Sequence, residues 1–228
     1  MIVAKDHNKW IIFYLAALVA FGPFSIDLYL AALPTIKQHF NASASDTQLT
    51  LASFFFGFAL AQLFWGPLSD RLGRKPVIFI GLLVYFLSTA ICYESPDIFT
   101  LTVGRLFQGV GGTCALVMSI AMVKDIYSNH DAIKIFPLIY SIMSIAPIIA
   151  PVIGSHLLTW FGWRSCFLFL LAYDLTLVLV TIIVLPESYP VAKRRPLPIR
   201  RIAAEYRLQL TYLPFLCIAL VRDSHINA

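Results

Sequence analysis

Residues 48–93 carry the clearest pattern in this chain: they read QLTLASFFFGFALAQLFWGPLSDRLGRKPVIFIGLLVYFLSTAICY. Two long apolar runs flank a short polar loop that contains Arg71, Arg74 and Lys75. About 20 apolar residues in a helix cross the hydrocarbon core of a bilayer, so both runs are long enough to do so. We therefore expect a helical hairpin whose loop lies on one face of a membrane.

The same pattern continues through most of the chain. Its 228 residues are 59% apolar and 13% charged, whereas soluble domains are roughly 45–50% apolar and about 25% charged. This composition excludes an ordinary soluble domain and predicts an all-α membrane protein with a six-helix bundle over residues 1–190. The predicted spans are residues 10–33, 48–68, 77–93, 98–123, 135–158 and 163–185.

The distribution of positive charge predicts the orientation of the spans. Thirteen Lys and Arg residues fall on one side of the predicted bundle, and only Lys37 and Arg164 on the other. Because cytoplasmic loops are rich in Lys and Arg, this predicts a cytoplasmic N-terminus in a multi-pass inner-membrane protein.

The end of the chain is more polar. We interpret residues 191–207 as a basic cytoplasmic linker that contacts anionic lipid. We do not expect nucleic-acid binding, since Tyr206 is the only aromatic residue among these charges. Residues 208–228 resemble the start of a seventh span that is cut short by Arg222 and Asp223.

Three charged residues lie inside the predicted spans, away from the span ends: Asp27, Arg105 and Asp174. Each costs on the order of 2.5–3.5 kcal/mol at the bilayer centre, so such residues normally face the bundle interior and mark a pathway. Asp27 and Arg105 lie at a similar depth, about 10 Å below the outer surface, and can neutralise each other.

Alternatives stay open for these charges. Asp27 and Arg105 form either a static ion pair or a titratable carboxylate whose proton exchanges as the arginine moves, and we favour the second. Asp174 is a second protonation or cation site, or a protonated residue that faces another helix. Gln62 and Gln108 are equally compatible with interhelical hydrogen bonds and with substrate contacts.

Four segments resemble signatures of one transporter family. GPLSDRLGRK at 66–75 resembles the G-x-L-x-D-R-x-G-R-K loop between helices 2 and 3 of the major facilitator superfamily. LTVGRLFQGVG at 101–111 resembles its helix 4 signature, and APIIAPVIG at 146–154 its helix 5 antiporter motif in the Bcr/CflA form. DLYLAALP at 27–34 resembles the D-x-Y-L-P-A-L-P segment of that drug-export group, with Ala31 in place of the first proline.

This resemblance implies the N-terminal half of a major facilitator fold, a 3+3 inverted repeat, and multidrug export by proton antiport. Asp27 would carry the proton and Arg105 would modulate its charge state. Pro147, Pro151 and Gly154, predicted on one face of the fifth span, would bend that helix as a packing kink or as a flexible point. The cytoplasmic gating loop would consist of Gly66, Asp70, Arg71, Gly73, Arg74 and Lys75, with Asp125 pairing with Arg71 or Arg74.

The expected partners are membrane lipid, protons, a small amphipathic substrate and the C-terminal six helices. Candidate substrate contacts are Phe21, Phe24, Tyr29, Phe55, Gln62, Gln108 and Tyr140. The alternative function is a transport-incompetent fragment or scaffold that lacks the C-terminal half. We expect no enzyme, because HExxH, GxSxG and Walker sequences are absent. We expect no cofactor or metal, since the four cysteines lie in apolar runs without zinc-ligand spacing.

Overall fold

A computed structural model of the protein describes residues 7–190, and this part of the chain forms six long α-helices. Each helix is long and apolar enough to cross a membrane. The prediction of an all-α six-helix bundle is confirmed. The predicted linker at 191–207 and the partial span at 208–228 lie outside the described residues. The helices are α1 His7–His39, α2 Ala44–Leu72, α3 Arg74–Glu94, α4 Ile98–Ile126, α5 Asn129–Phe161 and α6 Arg164–Ile183.

Five of the six helices extend beyond the predicted spans. Side-chain caps set the starts of three helices, α2, α4 and α5. Ser43 begins α2 in a capping box, and Asp97 begins α4 by accepting a hydrogen bond of 2.7 Å from a backbone N–H. Ser128 begins α5 in the same way. Such side chains satisfy N–H groups that have no partner inside the helix.

Helix α4 lies at the centre of the packing and contacts α1, α2 and α3. Its glycines allow this close approach. A Cβ atom on Gly109 would lie 2.1 Å from the Phe54 carbonyl oxygen of α2. A Cβ atom on Gly111 would lie 2.5 Å from the Tyr85 backbone nitrogen of α3. The backbones of α2 and α3 therefore touch α4 on two sides, and Arg105 and Gln108 on the same stretch of α4 are buried.

The outer surface of the bundle is strongly apolar. Phe64 on α2 is 67% exposed and Ile148 on α5 is 70% exposed. A large apolar surface of this kind marks contact with lipid or with further helices. Helix α1 packs mainly against α5, and α3 packs against α6.

Candidate functional site

Arg105 is held in the centre of the bundle by aromatic rings from two other helices. Its side chain is fully buried. The guanidinium carbon lies 4.1 Å from the ring centroid of Tyr29 on α1 and 4.3 Å from that of Phe54 on α2. Aromatic faces attract a cation, and more strongly where water is excluded. The ring of Tyr29 is itself oriented by a hydrogen bond between its hydroxyl and Thr50.

The hydrogen bonds of Arg105 are made to neutral groups. Its Nη1 donates to the Gln108 side-chain oxygen at 2.5 Å and to the Ser25 carbonyl oxygen at 3.3 Å. Gln108 in turn donates from Nε2 to Thr89 of α3 at 2.8 Å. Of the two alternatives for Gln108, the structure shows the interhelical hydrogen bond. Nε and Nη2 of Arg105 have no hydrogen-bond partner among residues 7–190.

Of the two alternatives for Asp27 and Arg105, the static ion pair is not formed within residues 7–190. Asp27 is half-buried and makes no ion pair or hydrogen bond within the described part of the chain. The reason is helical rotation: Ser25 and Tyr29 both contact Arg105, and Asp27 lies two residues from each. Two residues correspond to about 200° around the helix, so Asp27 faces away from Arg105.

Asp174 forms no ion pair or hydrogen bond with either of these residues. It lies on α6 and is fully buried, and neither of its carboxylate oxygens has a hydrogen-bond partner between residues 7 and 190. The three charges inside the spans therefore occupy three different environments. Arg105 is surrounded by rings and amides, Asp27 is partly accessible, and Asp174 is enclosed without a partner.

A second arginine, Arg74, organises the predicted cytoplasmic loop. Its Nη1 lies 2.8 Å from Asp70 Oδ1, and its Nε lies 2.7 Å from Asp125 Oδ2 at the end of α4. It also donates a hydrogen bond to Ser69. Arg74, and not Arg71, therefore pairs with Asp125; Arg71 is exposed and has no ion pair in the described residues.

The two loop glycines differ in their roles. Gly73 is the single residue between α2 and α3, and its φ of 102° is a backbone conformation that side chains disfavour. Gly66 lies inside α2, with open space where a Cβ would be. Gly73 therefore makes the tight turn, and Gly66 has no part in it.

The segment that follows α6 binds to the same loop, which the sequence analysis missed. Glu187 accepts hydrogen bonds from the backbone N–H of Arg74 at 2.9 Å and of Tyr189 at 3.0 Å. The Tyr189 ring lies 4.6 Å from the Arg74 guanidinium carbon. Lys75 donates to the Ile182 carbonyl at 3.0 Å. The arginine thus joins the neighbouring ends of α2, α3 and α4 to the segment that follows α6, on the side of the bundle that the charge distribution predicts to be cytoplasmic.

Comparison with known sequences identifies the family of this chain. Residues 13–221 match the Major Facilitator Superfamily. The chain belongs to the Major Facilitator Superfamily. This confirms the resemblance drawn from the four sequence segments. It also agrees with the absence of enzyme motifs, since this is a family of transporters.

Curated facilitator proteins of bacteria resemble the chain over about half of their length. It is 37% identical to the uncharacterized MFS-type transporter YdgK of Bacillus subtilis, over 81% of this chain and 46% of that protein. It is 32% identical to a bicyclomycin resistance protein homolog of Haemophilus influenzae, over 82% of this chain and 47% of that protein. It is 34% identical to the multidrug resistance protein MdtL of Salmonella typhimurium, over 77% of this chain and 44% of that protein.

A solved facilitator structure has the same fold. The crystal structure of the human organic anion transporter MFSD10 superposes with a TM-score of 0.71 at 20% sequence identity. The match covers 89% of this chain and 53% of that one. The six helices are therefore consistent with the N-terminal half of a major facilitator fold.

The helix 5 motif of this chain, residues 146–154, lies at the edge of the surface of α5 that packs against α1. Gly154 is buried against α1, and a Cβ there would lie 3.2 Å from the Ala31 Cβ. Pro147 and Pro151 are exposed beside this buried strip, to which Ala150 also belongs. The three predicted bending residues thus share one side of α5, but only the glycine contacts α1 closely.

The predicted substrate contacts are not gathered into one site. Tyr29 and Gln108 belong to the Arg105 environment. Phe24 is half-buried and packs against aromatic rings of α6. Gln62 on α2 and Tyr140 on α5 are exposed in this six-helix unit. Because Gln62 and Tyr140 lie on the outside of this unit, they could enclose a substrate only together with a second unit packed against α2 and α5.

Proposed function

We propose that this chain forms the N-terminal half of a proton-coupled exporter of small amphipathic molecules. The observation that carries the proposal is the buried Arg105 cation, which has no carboxylate partner among residues 7–190, while Asp27 on the adjacent helix α1 has no ion pair in the same residues. Names of relatives, which include bicyclomycin resistance and multidrug resistance, support drugs as the substrate class.

In the proposed cycle Asp27 carries the proton. Its carboxyl is partly accessible and makes no hydrogen bond or ion pair with the part of the chain that the structure describes, so protons can reach it from an aqueous pathway. Loss of the proton leaves a negative charge on α1, which the buried guanidinium on α4 attracts through a medium of low dielectric constant. Nε and Nη2 of Arg105 are available for that contact. Protonation of Asp27 cancels the attraction, and this difference favours one arrangement of α1 relative to α4 over the other.

The Arg74 cluster would serve as the cytoplasmic gate of this transporter, with the N-terminus on the same side. Buried or half-buried bonds of Arg74 to two carboxylates make the ends of α2, α3 and α4 one unit. A unit of this kind moves as a whole, as the rocking of helical bundles in alternating access requires.

A C-terminal six-helix unit is the proposed partner, supplied in cis or in trans. The chain spans about half the length of the curated relatives it matches. Exposed apolar residues on α2 and α5, such as Phe56 and Ile149, would face that unit or lipid. Substrate would then bind between the two units, where Gln62 and Tyr140 are exposed.

Vesicle transport tests the proposal. The chain is expressed alone, and together with the C-terminal half of the Haemophilus influenzae relative, in inverted vesicles of a drug-sensitive host. Drug-dependent proton movement is followed with a pH-sensitive dye. Asp27→Asn is expected to abolish it, because an amide cannot carry a proton. Glu94→Gln removes an exposed carboxylate at the opposite end of α3 from Arg74 and is the matched control.

Unchanged proton exchange in Asp27→Asn would contradict the antiport mechanism. A chain that inserts, but shows no exchange in either arrangement, would favour the alternative of a transport-incompetent product or scaffold.

A further inference from the structure

A groove opens on the outside of the bundle between the end of α5 and the start of α6. Its volume is about 460 Å³. Its walls are mostly apolar, with Leu157 and Phe161 on α5 and with Leu168 and Ala172 on α6. Arg164 is the one charged side chain among the described residues that line it. The groove therefore presents one cation beside an apolar surface, which suits an amphipathic molecule with an anionic group.

The groove runs from one end of α6 towards the membrane centre. Arg164 is the first residue of α6, and Leu168 and Ala172 follow at intervals of four, so all three share one face of the helix. Eight residues of helix cover about 12 Å. Phe161 is 76% exposed and Leu168 is 55% exposed, so the described helices leave the side of the groove open. An acyl chain of the surrounding lipid can therefore lie along it, with its headgroup at the level of Arg164.

Arg164 is held in a fixed position beside this groove. Its Nε donates a hydrogen bond of 2.9 Å to the Tyr93 carbonyl, and its Nη2 donates one of 3.1 Å to the Ser95 carbonyl. Its Nη1 donates to Nε2 of His39 at 3.4 Å. The guanidinium carbon lies 4.4 Å from the centroid of the Trp163 ring. The cation is thus oriented by the ends of α1 and α3 and by the start of α6.

In the described part of the chain, no carboxylate neutralises Arg164. It makes no ion pair among residues 7–190, and its hydrogen bonds go to carbonyl oxygens and an imidazole. A guanidinium has five N–H groups, of which these bonds use three, so two remain for an anion. A second groove, near the other end of α6, has a volume of about 550 Å³ and contains Lys75, but Glu187 lines it as well. Of the two grooves, the one at Arg164 therefore carries the uncompensated positive charge.

We propose that the groove at Arg164 binds one anionic phospholipid, with the lipid phosphate on Arg164 and an acyl chain along Leu168 and Ala172. An arginine recognises a phosphate through charge-assisted hydrogen bonds from its N–H groups. A zwitterionic lipid has the same phosphate but also carries a cationic group, which the uncompensated guanidinium repels. The site contains none of the residues assigned to proton coupling, so it stands independently of the proposed antiport.

Lipid titration of the purified 228-residue chain in a neutral detergent tests the site. Bound molecules are counted by native mass spectrometry with dioleoylphosphatidylglycerol, and with dioleoylphosphatidylcholine as the zwitterionic reference. One phosphatidylglycerol molecule is expected to bind about tenfold more tightly than phosphatidylcholine, as for one additional charge-assisted contact. Equal affinity for the two lipids would overturn the proposal. Glycerol phosphate, which lacks acyl chains, is expected to bind far more weakly, and an affinity equal to that of phosphatidylglycerol would show that the groove has no part in binding.

Substitutions at the two ends of the groove locate the bound lipid. Arg164→Gln removes the charge, and Ala172→Trp fills the apolar end while keeping the charge. Each is expected to weaken phosphatidylglycerol binding about tenfold. Ala172 is exposed, so Ala172→Trp tests the groove even if loss of the Arg164 contacts impairs folding. Unchanged binding in Ala172→Trp would overturn the proposal.

Lys37→Gln is the matched control for charge. Lys37 is exposed on the same predicted outer face and does not line the groove. Because an exposed charge is screened by salt, its removal should change the affinity by less than about twofold. Equal losses in Lys37→Gln and Arg164→Gln would contradict a specific site. Loss of the bound lipid on co-expression with a C-terminal half would show that helices cover the groove, and would also overturn the proposal.

Discussion

The two buried arginines of this bundle are held in opposite ways. Arg74, at the predicted cytoplasmic end, contacts two carboxylates and a tyrosine ring. Arg105, in the middle of the bundle, contacts two aromatic rings and neutral hydrogen-bond acceptors. A cation with matched carboxylates ties helix ends together. A cation that has no carboxylate bound to it, such as Arg105 in the described helices, can still attract a negative charge that approaches it.

The largest effect is expected from disturbing the helix contact that encloses Arg105. Gly111→Val should destabilise the bundle by about 3 kcal/mol or more, because its Cβ would lie 2.5 Å from the backbone nitrogen of Tyr85. The measurement is the free energy of unfolding in detergent, followed by intrinsic fluorescence. Gly66→Ala, where there is open space, is the control and should change it little. Equal stability of the two variants would show that α3 and α4 are not in close contact.

A smaller loss of stability is expected at the cytoplasmic cluster. Arg74→Ala leaves Asp70 and Asp125 without their cation and should reduce the free energy of unfolding by about 2 kcal/mol. This value allows for the Asp70 side chain being 50% exposed. Arg71→Ala removes the same charge from an exposed position and should change stability by less than about 0.5 kcal/mol.

Substitution of Arg105 should have the opposite effects: little change in stability and a large loss of proton exchange. Arg105→Met removes a buried cation that has no carboxylate partner in the described helices, so stability should change by no more than about 1 kcal/mol, or increase. Proton exchange in vesicles should nevertheless be lost. A destabilisation larger than that of Arg74→Ala would mean that Arg105 is a structural residue like Arg74.

The smallest effect on stability is expected from Tyr189, whose ring contacts the Arg74 guanidinium. Tyr189→Ala should cost about 0.5–1 kcal/mol, the size of a partly exposed cation–π contact. Tyr189→Phe keeps the ring, and its loss of stability should be no more than about half of that of Tyr189→Ala. Thermal unfolding of the two variants separates the contribution of the ring from that of the hydroxyl.

The extent to which the sequence predicted the site depended on distance along the chain. Asp70, Arg74 and the turn at Gly73 lie within five residues, so their pattern was readable as a loop signature. Glu187 binds the same loop from 113 residues away. Its one signal was a carboxylate directly after the sixth span, on the side that carries the basic residues.

The Arg105 environment shows a different limit. Depth in the membrane follows from residue counting, and it placed Asp27 and Arg105 at one level. Rotation around the helix axis decides which side chains meet, and here Ser25 and Tyr29 face the arginine while Asp27 does not. Phe54 is one of many aromatic residues in the spans, and nothing in its sequence neighbourhood marks it as an arginine contact.

Local properties of the chain were enough to predict the six helices. The length of an apolar run and the energy of burying a charge in lipid depend only on neighbouring residues. The same holds for the loop signature and for the family. The partners of the three intramembrane charges required the packed bundle. Which carboxyl group is enclosed, and which aromatic rings contact the buried arginine, depends on how the helices are rotated against one another, and that rotation arises from side-chain contacts between distant parts of the chain.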